Sequence, residues 1–143
     1  MRIRVLTFGF VGLYSLGTVL AQHTSHDADA IIALELKLTD LLERGAWDEY
    51  ARHLTPDYAL TTFQGQLLTR DQALGWWRAQ GPGTTMTPSE MRVRIYGNTA
   101  ILTARVANSK EGAARITKTF VRIDGKWLLA ALHVSLIAEV PGK

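Results

Sequence analysis

From about Asp29, apolar residues recur at three- and four-residue spacings: Ile31, Leu34, Leu38, Leu41 and Leu42. That is the periodicity of a helix buried along one stripe. Asp27 or Asp29 is placed to cap its start, where a carboxylate meets free backbone N–H groups, and Gly45 to end it. A second stripe, Trp47, Tyr50, Ala51 and Leu54, predicts a helix over "AWDEYARHL", which Pro56 cannot continue. "YALTTFQGQLLT" then reads as two short strands about Gln64 and Gly65. Thr69 and Gln72 form a capping box for a helix "RDQALGWWRAQ", closed by "GPG" at 81–83. Beyond Ser89 the chain becomes a run of strands: "EMRVRIY", "TAILTARVA", "ARITKTFVRI" and "KWLLAALHVSLI", parted by "GN", "NSKEG" and "DG". This order predicts an α+β domain with helices on one side of an antiparallel sheet.

The last separator is the strongest hairpin signal, because Asp-Gly tolerates the positive φ angles of a type I′ turn. With Asp124 and Gly125 as the loop, Arg122 opposes Trp127, Phe120 opposes Leu129, Lys118 opposes Ala131 and Ile116 opposes His133. Uninterrupted alternation therefore turns Phe120, Lys118, Trp127, Leu129, Ala131, His133 and Ser135 inward. It turns Leu128, Ala130, Leu132, Val134 and Leu136 outward. So apolar an outer face needs cover, and a second copy of the sheet would supply it, so a homodimer is expected.

The start of the chain differs from the rest. "MRIR" precedes "VLTFGFVGLYSLGTVLA", an uncharged run of about 17 residues ending in small residues, which is the layout of a secretory signal peptide. Cleavage is expected after Ala21, leaving a polar tail over 22–28, a domain over 29–140 and a periplasmic or secreted location. A membrane would be a partner only if the leader stayed uncleaved. Losing Arg2 and Arg4 removes two positive charges from a formal net charge of +3. The domain is then near neutrality and has no electrostatic footprint for nucleic acid. The absence of cysteine excludes disulfides, thiolate catalysis and cysteine-type zinc sites.

"ITKTFVRIDGKWLLAALHVS", "ILTARVA" and "ALELKLTDLLERGAWDEYARHLTPDYALTTFQG" together resemble the nuclear transport factor 2-like (NTF2-like) superfamily. The likeness is greatest to its DUF4440 and SgcJ/EcaC-type families, to SnoaL-like proteins and to the association domain of calcium/calmodulin-dependent kinase II. The resemblance implies a cone of three N-terminal helices packed on a curved antiparallel sheet, with a pocket inside. It also implies an inward Arg105. Where the hub-type domains carry another inward arginine, this chain has Lys118, and the first of their two last-strand histidines is here Ala131.

Two cations turned inward need an anion, because an unpaired buried charge is costly. A carboxylate from Glu35, Asp40 or Glu43 would supply it, or a carboxylate-bearing ligand would. One expectation is thus an exported protein binding a small polar or carboxylate-bearing molecule without cofactor or metal. Arg105 and Lys118 would hold the anion, Tyr58 and His133 would hydrogen bond, and Phe120 and Trp127 would form an apolar wall. The enzymatic alternative is an isomerase, dehydratase or cyclase similar to ketosteroid isomerase, with His133 as the catalytic general base. A third is a structural dimerisation domain with a vestigial pocket. Ser135 lies too far along the strand to bond His133, so a hydrolase triad is not expected.

Overall fold

The computed structural model describes residues 16–83, 87–108 and 112–138, and most of the expected leader falls outside them. Helix α1 spans Leu16–Glu43 and α2 spans Trp47–Ala51. Strand β1 (Leu54–Thr61), strand β2 (Leu67–Thr69) and helix α3 (Arg70–Gln80) follow. Strands β3 (Thr87–Tyr96), β4 (Thr99–Asn108), β5 (Gly112–Ile123) and β6 (Lys126–Leu136) complete the chain. The six strands form one sheet in the order β2-β1-β6-β5-β4-β3.

Two expectations about the frame are corrected. The sheet is mixed, because β1 runs parallel to β6; the chain leaves β1 through a hairpin and α3, and returns only after crossing the sheet. Only two helices precede the first strand, and α3 enters after β2, starting from the expected capping box, in which the Thr69 N–H donates to Gln72 Oε1 at 2.9 Å.

Helix α1 also starts well before Asp29, so the segment expected to be a polar tail is helical. Asp27 does not cap it: it is buried within the helix and accepts a 2.6 Å hydrogen bond from Arg122 Nη2. Asp27, Ile31, Glu35, Leu38 and Leu42 make one buried stripe, at the spacing that keeps side chains on one helix face. The stripe packs on a core that includes Leu60, Leu102, Phe120 and Leu129. Pro56 lies inside β1, where the pairing with β6 is irregular between Leu54 and Ala59 and its missing N–H removes no ladder bond.

The Asp-Gly hairpin forms as expected, with φ of 49° at Asp124 and 76° at Gly125. Its register holds through Phe120 opposite Leu129 and then slips: Thr119 opposes Ala131, Lys118 opposes Leu132 and Thr117 opposes His133. Ala130 is the extra residue of a β-bulge, and beyond it every β6 side chain changes face. Leu132 is buried and Val134 packs on the core, whereas His133 and Ser135 are exposed. The wholly apolar outer face expected from uninterrupted alternation does not form.

Face exchange at the bulge yields a direct test. Leu132→Ala should cost about 2–5 kcal/mol, the range for emptying a packed aliphatic site. His133→Ala should change stability by no more than about 0.5 kcal/mol, as for a surface substitution. Urea denaturation of the two variants measures both.

Candidate functional site

Inside the cone, β5 places Lys118 between Ile116 and Phe120 on the buried face, and the α1 stripe places Glu35 opposite. Lys118 Nζ donates to Glu35 Oε1 at 2.8 Å and to Oε2 at 2.6 Å. The two side chains are only 6% and 2% exposed. A buried ion pair of this kind holds only if each charge finds its counter-charge at close range, because removing either ion from water is costly.

Tyr50 of α2 and Tyr58 of β1 are fully enclosed beside this pair. Burial is the main force raising both phenol pKa values, and the Glu35 charge raises them further. The two phenols lie close enough to influence each other's ionisation. The Tyr50 hydroxyl is turned toward Tyr58 as a donor, but the contact falls short of good hydrogen-bond geometry and neither hydroxyl has another partner among the described residues. The interior thus combines a charge-satisfied carboxylate and ammonium with two neutral hydroxyls that have unmet hydrogen-bonding capacity.

Tyr58 also lines a groove of about 590 Å³ between β1, β2 and the start of α3, together with Leu54, Asp57, Leu68 and Arg70. Arg70 is anchored on the groove wall, its Nη2 donating to the Ala51 carbonyl at 2.9 Å. Tyr58 thus borders this groove while remaining only 1% exposed itself.

Of the residues expected to form a site, the structure brings Tyr58, Lys118 and Phe120 into the interior. Trp127 shares their face but lies half-buried toward the hairpin turn, with the Arg122 guanidinium 4.4 Å from its ring centroid. Arg105 and His133 do not join them. Arg105 stands between the buried Ala104 and Val106 and opposite Arg115, so it points out of the cone. His133 is carried outward by the bulge. The anion that Lys118 requires is Glu35, one of the three carboxylates expected on the first helix. Tyr50 and the Asp27–Arg122 pair were not foreseen as polar interior groups, although Asp27 falls in register with Ile31 and Glu35 on the α1 stripe.

A model of the SnoaL-like domain matches residues 31–139. No curated protein matches the sequence, whereas many solved structures share its fold. An NTF2-like protein from Streptomyces avermitilis, described as a candidate dehydratase, superposes with a TM-score of 0.72 at 17% identity, over 80% of this chain and 99% of its own. An NTF2-like protein from Cytophaga hutchinsonii gives 0.68 at 17% identity, over 76% of this chain and 97% of its own. The association domain of the Caenorhabditis elegans kinase CaMKII gives 0.61 at 15% identity, over 76% of this chain and 94% of its own. At these identities the structural likeness speaks to fold alone, and it agrees with the family match: the chain belongs to the SnoaL-like domain family and has the NTF2-like fold.

Proposed function

We propose that this protein binds a small, polar, uncharged organic molecule inside the cone, reached through the groove beside Tyr58. The observation that carries this reading is the pair of buried, under-bonded hydroxyls next to an ion pair that already satisfies itself. Leaving a buried hydroxyl without a partner costs about 1–3 kcal/mol, so a ligand bearing a hydroxyl or carbonyl group gains what the protein alone leaves unmet. A carboxylate-bearing ligand suits the site less well, because Glu35 already neutralises Lys118 and Arg105 is on the other side of the sheet.

A catalytic reading has support in the same place. A carboxylate beside neutral phenols can remove a proton next to a carbonyl while a hydroxyl stabilises the oxygen, provided that the substrate draws Lys118 off one carboxylate oxygen, because a carboxylate paired with an ammonium is a weaker base than a free one. On that reading Glu35 is the base and Tyr58 the hydrogen-bond donor, and the role expected of His133 passes to them.

Export and self-association belong to the proposal as well. Asp27, Ile31, Glu35, Leu38 and Leu42 all follow the expected cleavage site, so a leader lost after Ala21 would leave this buried stripe in the chain. Among the described residues no helix is long and apolar enough to cross a membrane. The outer sheet face keeps an apolar end, with Tyr96 57% and Ile123 45% exposed, and the dimer is proposed to form there. Light scattering of the mature domain checks it, and a monomer at all concentrations counts against it.

In a thermal-shift screen with small hydroxy and keto compounds, a ligand should raise the melting temperature of the wild type and lose most of that effect with Tyr58→Phe. If every active compound acts equally on both proteins, the interior site is wrong. Turnover, where found, should vanish in Glu35→Gln and survive in His133→Ala.

The ion pair makes its own prediction. Lys118→Met strands the Glu35 charge and should destabilise the domain by about 3–5 kcal/mol, whereas Lys118→Met with Glu35→Leu should recover most of that loss. Chemical denaturation of the two variants decides it.

The tyrosines set an alkaline limit. Because their folded-state pKa values lie above the ordinary 10.0, their contribution to stability is intact below about pH 10 and is lost as pH rises further. Absorbance at 295 nm should show Tyr50 and Tyr58 ionising only as the domain unfolds.

A further inference from the structure

A second opening lies outside the cone, where β6 runs past the start of β1. The first residue of β1, Leu54, pairs with Leu129, so Lys126, Trp127 and Leu128 have no β1 neighbour. The Leu129 N–H donates to the His53 carbonyl at 2.8 Å. Along a strand the peptide groups two residues apart point the same way, so the Trp127 N–H and C=O face this same unpaired edge. Helices α1 and α2 form the opposite wall, enclosing a groove of about 530 Å³.

The groove combines cations with apolar surface. Leu34, Leu128 and Trp127 line it, together with Lys37, Arg52 and Lys126. Glu49 is the one carboxylate in its lining, and it is engaged by Lys37 at 3.2 Å. Arg52 and Lys126 have no side-chain partner among the described residues, and both are exposed. Trp127 is held by Arg122, which Asp27 anchors in turn, so the ring forms a fixed wall. Burial, reinforced by the Lys37 charge, lowers the pKa of the half-buried His53, leaving a neutral imidazole beside the cations at neutral pH.

We infer that this groove is a binding site for an organic acid with a compact apolar body. The carboxylate sits between Arg52, Lys126 and the free Trp127 backbone N–H, and the body lies against the Trp127 ring, Leu34 and Leu128. The chemistry follows from the lining: two cations and a backbone donor converge on an anion, and the aromatic and aliphatic walls remove apolar area from water. This site is separate from the cone interior, whose cation is already neutralised and whose open groups are neutral hydroxyls.

Two-dimensional 1H–15N NMR of the chain titrated with benzoate tests the inference. Saturable shifts should appear at the Trp127 indole and at the amides of Lys126 to Leu128, while Tyr58 and Lys118 stay unmoved. Arg52→Gln with Lys126→Gln should weaken binding by about tenfold or more, the scale expected on losing two charge-assisted contacts. Inorganic phosphate, an anion without an apolar body, should give no saturable shift at Trp127. The inference is overturned if benzoate leaves the groove unshifted, if it moves only interior amides, if the double variant binds it equally well, or if phosphate binds as tightly.

Discussion

The buried contact between Glu35 and Lys118 is the constraint around which the cone is arranged. Two oxygens of one carboxylate meet a single ammonium at 2.8 and 2.6 Å, and neither side chain has appreciable access to solvent. Such a pair tolerates little displacement, since moving α1 by one helical turn would strand two charges in a low-dielectric interior. A stripe of leucine and isoleucine alone would leave the helix freer to slide over the sheet. The ion pair fixes its register, and the Asp27–Arg122 bond, two turns toward the N-terminus, fixes its direction.

The bulge at Ala130 is the second determinant, and it explains why inside and outside are assigned as they are. Without it, Lys118 would share its face with Ala131 and His133, and Leu132 would meet water. With it, Leu132 stands beside Lys118 and the apolar residues of both ends of β6 enter the core. His133 instead joins an outer row with Thr117 and Thr61. The bulge thus supplies the hydrocarbon that surrounds the ion pair, at the cost of one unpaired residue in the ladder.

Much of this architecture was legible in the chain. Helical stripes, the Thr69–Gln72 capping box, the Asp124–Gly125 turn and the order of the four long strands all follow from local chemistry. So did the inward Lys118 and its need for a carboxylate, because a lysine flanked by Ile116 and Phe120 at two-residue spacing is buried with them. What was not legible depends on pairing between distant segments. A bulge leaves no mark when the residues around it are Leu128, Leu129, Ala130, Ala131 and Leu132, since either alternation through so apolar a run buries leucines. Arg105 followed a family likeness rather than its own neighbours, although Ala104 and Val106 at either side were the better guide. The parallel partnership of β1 with β6 likewise has no local signature.

The separation of neutral hydroxyls inside from free cations outside follows from the same accounting. Within the cone, burial permits a charge only when it is matched, so the groups left to recognise a ligand there are hydroxyls such as those of Tyr50 and Tyr58. Where β6 outruns β1, the solvent is near enough for Arg52 and Lys126 to remain charged without a partner, and the strand edge adds backbone donors that the sheet does not use. Trp127 lies between the two regimes: on the inner face by alternation, at the open edge by position, and held in place by an arginine whose own charge is spent on Asp27. One fold can therefore offer two chemically distinct surfaces, because the limit on each is set by how much water reaches it.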